Sequence, residues 1–180
     1  MRHRPTVILL AGPAGSGKTT VAARIAENPH WVHVSEDEYW MKLKAGRPSG
    51  ELRTTEEQDI VQPQVIQRVF EVLATNENAV LEFILYEDPP RPLLRYQQAL
   101  AAKGVAFTTT ILRPSAEETL RRIQGRRRAN DMHHQGLRAN AELQMRVLGS
   151  KHIDAAWLID TTDLGVEDVY DKYFKPLVDG

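Results

Sequence analysis

The stretch VILLAGPAGSGKTTVAARIAE, from Val7 to Glu27, decides the fold. An apolar run leads into three glycines within six positions, and Lys-Thr-Thr then opens an amphipathic segment. Glycines allow a backbone turn in which the N–H groups point inward around an anion. A helix after such a turn adds its unpaired N–H groups and the positive end of its dipole. The stretch therefore predicts a strand, a phosphate-binding loop and a helix, in that order.

The loop fits the pattern G-x-x-x-x-G-K-[ST] through Gly12, Gly17, Lys18 and Thr19. In this pattern the lysine reaches the β- and γ-phosphates, and the hydroxyl after it ligates Mg²⁺. A glycine-rich turn with an exposed lysine is the alternative, but it would have to match the whole pattern in the right context by chance. We predict that a nucleoside triphosphate is held by Gly12, Pro13, Ala14, Gly15, Ser16, Gly17, Lys18, Thr19 and Thr20.

Length and composition favour one compact domain over the whole chain, residues 1–180. Hydrophobic residues make up 42% of the 180 residues, and the formal net charge is −1, so no global field attracts nucleic acid or an anionic membrane. The chain has no cysteine, which excludes disulfides, thiolate zinc sites and cysteine nucleophiles. No apolar run approaches the ~20 residues of a membrane span. We expect a cytoplasmic protein without a membrane partner.

Short apolar runs alternate with helical patterns along the chain, which is typical of βαβ units and an α/β fold with a parallel sheet. We predict strands at Val7–Ala11, Trp31–Ser35, Val105–Leu112 and Trp157–Ile159, and a third strand in chain order that begins with Ala79–Leu81. Predicted helices cover Thr19–Glu27, a long stretch capped by Thr54 or Thr55, Leu93–Lys103, a stretch from the cap Ser115 to Gln124, Ala139–Leu148 and Val166–Phe174. Lys42–Gly50 is predicted to be a loop. Ligands in such sheets bind beyond the carboxyl ends of the strands.

An acidic segment, HVSEDEYW at residues 33–40, follows the second predicted strand. Asp37 would lie just past that strand, facing the same cleft as the phosphate loop. A carboxylate there can accept the proton of an attacking hydroxyl or hold it in line with the γ-phosphate. Glu36 and Glu38 are competing candidates, and a solvated helix start favoured by the dipole is the plainer alternative. A guanine-reading Asn-Lys-x-Asp segment is absent from the sequence, which disfavours a GTPase.

The chain resembles the small P-loop kinases of the nucleoside-monophosphate-kinase group, an AAA-type ATP-binding kinase family that includes shikimate kinase, gluconate kinase, chloramphenicol phosphotransferase and the kinase domain of polynucleotide kinase. The resemblance rests on GPAGSGKTT, VSEDEYW and the arginine segment TLRRIQGRRRANDMHHQG at residues 119–136. It implies a three-layer fold with a five-stranded parallel sheet in the order 2-3-1-4-5, ATP and Mg²⁺ as cofactors, and a mobile lid. Asp37 matches an aspartate that lies against the substrate hydroxyl in several of these families.

One departure from the resembled families concerns nucleic acid. Polynucleotide kinases carry an arginine a few residues after the aspartate, where it holds the nucleic acid phosphate, and Trp40 occupies that neighbourhood here. The substitution disfavours a nucleic-acid partner and favours a less charged acceptor.

The arginine segment contains five arginines. Arg121 and Arg122 precede Gly125, and the other three lie between Gly125 and Gly136. Arg122 and Arg126 share a face if the helix continues. The resemblance places a lid at about residues 125–136, and it implies that Arg122, Arg126 and Arg128 close on ATP. A solvated basic helix end is the alternative and would account for Arg121; an RNA patch lacks the interleaved aromatics that such sites use. His133 and His134 are adjacent and diverge on a helix, which disfavours a metal site.

Glu82 lies in the third predicted strand, in AVLEFILYEDPPR. A buried unpaired carboxylate is costly, so Glu82 is expected at the carboxyl end of the strand, near the Mg²⁺ water shell or the acceptor. Pairing with Arg91 or Arg95 is the alternative. The acceptor is expected to bind at about residues 36–58, where Tyr39, Trp40, Lys42, Arg47 and Arg53 are candidates.

The turn Asp160-Thr161-Thr162 follows the last predicted strand. The resemblance places this turn beside the adenine. The alternative is that Thr162 or Asp163 caps the last helix.

These observations predict an ATP-dependent kinase that transfers the γ-phosphoryl group to a hydroxyl of a small molecule. The predicted catalytic residues are Lys18, Asp37, Arg122 and Arg126; the acceptor residues are Asp37, Trp40, Arg53, Glu82 and Arg91; and Thr19 holds Mg²⁺, with Asp37 or Glu82 acting through water. A polynucleotide or nucleotide kinase and a non-catalytic ATP-binding regulatory protein are the alternatives. The sequence indicates neither the identity of the acceptor nor an oligomeric state.

Overall fold

The computed structural model describes residues 4–44, 53–125 and 134–179, and the side chains of residues 134–137 are not described. Its centre is a parallel sheet of five strands in the order β2-β3-β1-β4-β5, which confirms the predicted topology. The strands are β1 Thr6–Ala11, β2 Trp31–Ser35, β3 Asn78–Phe83, β4 Ala106–Arg113 and β5 Leu158–Asp160. The last strand begins one residue later than predicted, because Ala155–Trp157 forms a 3₁₀ turn.

Helices connect successive strands: α1 Lys18–Ile25, α2 Glu36–Leu43, α3 Thr55–Ala74, α4 Arg91–Ala102, α5 Ala116–Gly125 and α6 His134–Val147. A final helical segment runs through α7 Val166–Val169, a π turn at Tyr170–Phe174 and α8 Lys175–Val178. The predicted loop at Lys42–Gly50 was wrong at its start, since α2 continues through Leu43, and residues 45–52 lie outside the described residues.

Two predicted helix caps are confirmed. The Thr54 hydroxyl accepts the N–H of Glu57, whose carboxylate accepts the N–H of Thr54 in return, so a capping box opens α3. The Ser115 hydroxyl accepts the N–H of Glu118 at the start of α5.

The central strand β1 separates two apolar clusters. Successive strand residues point to opposite faces, so Val7 and Leu9 pack against α3 and α4 while Ile8 and Leu10 pack against α1 and the C-terminal helical segment. Both faces of β1 are therefore buried, which explains why its sequence is a continuous apolar run. This packing fixes the carboxyl end of β1, and with it the start of the phosphate loop.

Candidate active site

The phosphate loop connects β1 to α1 and packs closely against its surroundings. A Cβ added at Gly12 would lie 2.6 Å from the carbonyl oxygen of Leu112, and one added at Gly15 would lie 2.9 Å from the Ile123 side chain and from the carbonyl oxygen of Thr119. Both glycines also have positive φ, at 152° and 84°. Only glycine fits at these two positions, and the loop is held against β4 and α5.

Lys18 folds back over this loop. Its side chain is buried, and Nζ donates to the carbonyl oxygen of Pro13 at 3.0 Å. The same carbonyl accepts the N–H of Ser16 at 3.1 Å, which closes a tight turn. The ammonium group is thus placed inside the curve of the loop, where it can meet the phosphates of a nucleotide.

Glu82 connects the loop to the second strand. Its Oε1 accepts hydrogen bonds from Thr19 Oγ1 at 3.2 Å and from Ser35 Oγ at 2.8 Å, and His33 Nε2 lies 3.6 Å from the same oxygen. The predicted alternative of pairing with an arginine is wrong, because Arg91 lies 3.9 Å from Glu87 and Arg95 pairs with Asp59 at 2.6 Å.

The Glu82 carboxylate is charged although it is buried. Burial alone would raise the pKa of Glu82, but the His33 imidazole, the positive charge of Lys18 and the Ser35 hydroxyl outweigh burial and lower it. The side chain is only 4% exposed, and Oε2 has no hydrogen-bond partner among the described residues. A buried, ionised carboxylate with one uncommitted oxygen beside the Thr19 hydroxyl fits the oxygen ligands that Mg²⁺ prefers.

A second polar cluster lies at the start of α2. Glu36 is 0% exposed; its carboxylate accepts from Tyr96 Oη at 2.6 Å and from Arg53 Nη1 at 3.2 Å. Arg53 Nη2 also donates to Asp37 Oδ1 at 2.6 Å. The guanidinium of Arg53 lies 4.8 Å from the centroid of the Trp40 ring, a cation–π contact. One arginine therefore holds both acidic side chains and rests on the predicted acceptor tryptophan.

Burial controls the proton on Glu36. Desolvation raises its pKa to about 7, and the positive charge of Arg53 and the hydrogen bond from Tyr96 only partly offset that rise. The neighbouring Tyr86 hydroxyl has a raised pKa for the same reason, burial first and the charge of Glu36 second. Asp37, in contrast, is 47% exposed at its side chain and so is the acidic group of this cluster that a ligand can reach.

Arg122 connects α5 to two other parts of the site. Its guanidinium donates to the carbonyl oxygen of Thr161 at 2.8 Å and to that of Ser16 at 3.4 Å, and Nε donates to Glu118 at 2.6 Å. Arg121 is mostly exposed and bonded to Glu118, in line with the predicted solvated helix end. Hydrogen bonds from Arg121 and Arg122 lower the pKa of Glu118 to about 2. The predicted lid residues Arg126 and Arg128 lie outside the described residues, as do Arg47, His133 and the side chain of His134.

A cavity of about 630 Å³ opens beside the phosphate loop. One wall consists of loop and α1 residues that include Gly15, Gly17 and Thr20, and the opposite wall includes Thr161 and Thr162. The cavity has the volume expected of a small-molecule or cofactor site. It also joins the loop to the turn that was predicted to read the adenine.

One prediction about this turn, the cap of the last helix, needs correction, and Asp160 stays a predicted nucleotide-binding residue. Asp160 does not line the cavity; its carboxylate accepts the N–H and hydroxyl of Thr162 at 3.0 and 2.7 Å, which also lowers the pKa of Asp160. The last helix is not capped by Thr162 or Asp163, since Asp168 reaches back to the N–H of Gly165 at 3.0 Å. The Thr162 hydroxyl instead accepts the N–H of Ser115, and so joins this turn to α5.

Comparison with known proteins identifies the family. Residues 7–149, more than half of the chain, match the family described as AAA domain. The chain belongs to the AAA domain family. Together with this assignment, the phosphate loop and the 2-3-1-4-5 sheet give the P-loop NTPase fold that the sequence predicted.

Three proteins illustrate what this AAA domain resembles. Adenylate kinase 9 of Mus musculus is 38% identical over 85 residues, which are 46% of this chain and only 4% of that protein. The tunicamycin resistance protein of Deinococcus radiodurans superposes with a TM-score of 0.69 at 19% identity, over 93% of this chain and 92% of that one. A chain of the Pnkp1/Rnl/Hen1 RNA repair complex gives a TM-score of 0.63 at 19% identity, over 83% and 45%. Because both structures are only 19% identical to this chain, their similarity establishes the fold alone.

The structure brings together some predicted residues of the AAA domain and adds others. Lys18, Thr19 and Glu82 converge at the loop, and Asp37, Trp40 and Arg53 converge at the start of α2. Arg91 pairs with Glu87 and forms no hydrogen bond or ion pair with either cluster among the described residues. Sequence reasoning missed Ser35, His33, Tyr96 and Gln144.

A sequence signal existed for the burial of Glu36. If α2 begins directly after β2, Glu36 and Trp40 are four residues apart and share a face, and Trp40 is a natural core residue.

Within the described residues, no helix is both long and apolar enough to cross a bilayer.

Proposed function

We propose that this protein is a kinase that transfers the γ-phosphoryl group of ATP to a hydroxyl of a small molecule. The observation that carries the proposal is the position of the Glu82 carboxylate, because a single oxygen contacts both Thr19 of the phosphate loop and Ser35. Ser35 ends β2, and Asp37 follows two residues later. Asp37, the candidate base, therefore lies two residues from Ser35, which is hydrogen bonded to the candidate magnesium ligand Glu82.

The nucleotide end uses the loop and the cavity. Loop N–H groups such as those of Gly15 and Gly17, together with the Lys18 ammonium, would bind the β- and γ-phosphates, while the cavity takes the nucleoside. Thr19 and Glu82 would hold Mg²⁺, which neutralises charge on the phosphates when it is bound. Arg122 shapes the cavity by tying α5 to the carbonyls of Ser16 and Thr161. Arg126 stays a predicted partner of Arg122 in the lid.

Asp37 would act on the acceptor. Only Oδ1 is engaged by Arg53, so Oδ2 has no partner among the described residues and can accept the proton of the acceptor hydroxyl. The acceptor oxygen forms a bond to the γ-phosphorus, the bond from that phosphorus to the β–γ bridging oxygen breaks, and ADP leaves. Arg53 fixes the carboxylate in place, so Asp37 is oriented before the acceptor arrives.

The surroundings of Asp37 favour an uncharged acceptor. Trp40 and Tyr86 present rings around Arg53, and the charge of Arg53 is already matched by Glu36 and Asp37. A polyanionic acceptor would need a positively charged side chain that is not already paired with carboxylates. Since one solved structure of the same fold belongs to an RNA repair complex, a polynucleotide acceptor is the second candidate to be tested.

The test is an ADP-release assay with constant Mg-ATP across small hydroxyl compounds and oligonucleotides. We expect ADP release with a small alcohol, abolished by Asp37→Asn and retained in the neighbouring exposed control Glu38→Gln. Transfer to oligonucleotides, with affinity that falls steeply with salt, would favour the polynucleotide candidate. ATP binding without any transfer would favour a regulatory protein and contradict the proposal.

A further inference from the structure

A glutamine from α6 contacts the phosphate loop directly. The main-chain N–H of Ala14 donates to Gln144 Oε1 at 2.7 Å, across 130 residues of sequence. This is a short hydrogen bond, and both partners are partly buried. Neither the phosphate-loop pattern nor the arginine segment includes Gln144, so its contact is not explained by the motifs.

The donor and acceptor identities fix how the Gln144 carboxamide is oriented. The N–H of Ala14 can only donate, so the oxygen of the carboxamide must face it and the NH₂ group must point away. That NH₂ group has no hydrogen-bond partner among the described residues. The loop N–H groups of Gly15 and Gly17 likewise have none within the same ranges. Several donors at the loop are therefore uncommitted, and one of them comes from α6.

The contact lies next to the loop residue that binds the Lys18 side chain. Ala14 follows Pro13, whose carbonyl oxygen accepts the Lys18 ammonium at 3.0 Å. Lysine in this pattern reaches the β- and γ-phosphates, so a triphosphate in the loop would bring its last phosphates towards Pro13, Ala14 and the Gln144 carboxamide. The Lys18 ammonium and the Gln144 carboxamide thus contact adjacent residues of the loop, Pro13 and Ala14.

We propose that Gln144 is a γ-phosphate-binding residue: its oxygen holds the N–H of Ala14 while its NH₂ group donates to the γ-phosphoryl group of ATP. The inference rests on the proposed function, because it requires a triphosphate in the loop. ADP has no γ-phosphoryl group and cannot make this contact. Gln144 therefore distinguishes ATP from ADP and joins α6 to the loop most firmly when ATP is bound.

The decisive variant is Gln144→Glu. A carboxylate keeps an oxygen for the N–H of Ala14, so α6 stays docked, but it replaces the NH₂ donor by a second, negatively charged acceptor. We expect its affinity for a non-hydrolysable ATP analogue, measured calorimetrically with Mg²⁺, to fall at least tenfold, as for the loss of a hydrogen bond to a charged group. Its affinity for ADP should change less than threefold, and its melting temperature should match wild type.

Two further variants separate nucleotide binding from the packing of α6 on the phosphate loop. Gln144→Leu removes both contacts and should lose affinity for the ATP analogue more than for ADP. Gln67→Leu, on the exposed face of α3 where Gln67 bonds only to Glu71 among the described residues, is the matched control and should bind both nucleotides as wild type does. Equal losses for ADP and the analogue in Gln144→Glu, or tighter binding of the analogue, would overturn the inference. A wild-type protein that binds neither nucleotide would instead overturn the proposed function.

Discussion

The buried carboxyl group of Glu36 predicts how the stability of the protein depends on pH. Its pKa is about 7 in the folded protein and 4.5 in its ordinary state, and the cause is burial. Between these two values the folded protein keeps a proton that the unfolded chain releases. The free energy of unfolding must therefore fall as the pH rises from about 4.5 to 7, and it should level off above that range. At about 1.4 kcal/mol per pKa unit, the fall attributable to Glu36 is ~3 kcal/mol.

Glu36→Gln removes this ionisation. The carboxamide oxygen can still accept from Tyr96, but the NH₂ group cannot accept from Arg53, so the variant should be less stable than wild type near pH 5. As the pH rises to 8, the wild-type protein loses the contribution of Glu36 and the variant does not. The stability difference should therefore move by ~3 kcal/mol in favour of the variant over this interval.

The assay is urea denaturation at half-unit steps from pH 4.5 to 8.5, followed by tryptophan fluorescence and circular dichroism. Glu38→Gln, on the exposed side of the same helix, is the matched control and should run parallel to wild type. If Glu36→Gln also runs parallel to wild type throughout, Glu36 does not carry a proton into neutral pH and the burial argument is refuted.

Three further predictions address the loop, the magnesium ligands and the base. Gly15→Ala should lower the free energy of unfolding by ~2 kcal/mol more than Gly104→Ala, since both have positive φ but only Gly15 has atoms at 2.9 Å; equal losses in denaturation midpoints would contradict the packing of the loop. Glu82→Gln keeps the bonding geometry but removes the charge, so Mg²⁺ should strengthen ADP binding much less than in wild type, and an unchanged Mg²⁺ titration would exclude Glu82 as a ligand. Asp37→Ala should reduce turnover by orders of magnitude with an unchanged circular dichroism spectrum, and an Asp37→Ala enzyme as fast as wild type would remove Asp37 from its role.

The features that sequence predicted are those encoded over short distances. The pattern from Gly12 to Thr19 fixes loop chemistry within eight residues, and the caps at Thr54 and Ser115 need only the next three residues. The order of the strands came from the resemblance to P-loop kinases, because alternating strands and helices alone do not determine it.

The features that sequence missed depend on contacts between distant segments. Glu36 is buried because Tyr96 from α4 and Arg53 from the start of α3 converge on it. Glu82 was expected at the carboxyl end of its strand, but the parallel register that places Ser35 of β2 directly opposite it was not predicted. Gln144 reaches Ala14 across 130 residues. No local pattern encodes these pairings, since each depends on how the helices pack on the sheet.

The most direct test of the central claim is a crystal structure with Mg²⁺ and a non-hydrolysable ATP analogue. The account predicts the triphosphate inside the curve of residues 12–19, with Lys18 on its terminal phosphates, the metal between Thr19 and Glu82, and the Asp37 carboxylate on the side of the γ-phosphate where the acceptor enters. A nucleotide bound elsewhere with the loop empty, or the Asp37 carboxylate turned away from the γ-phosphate, would contradict it.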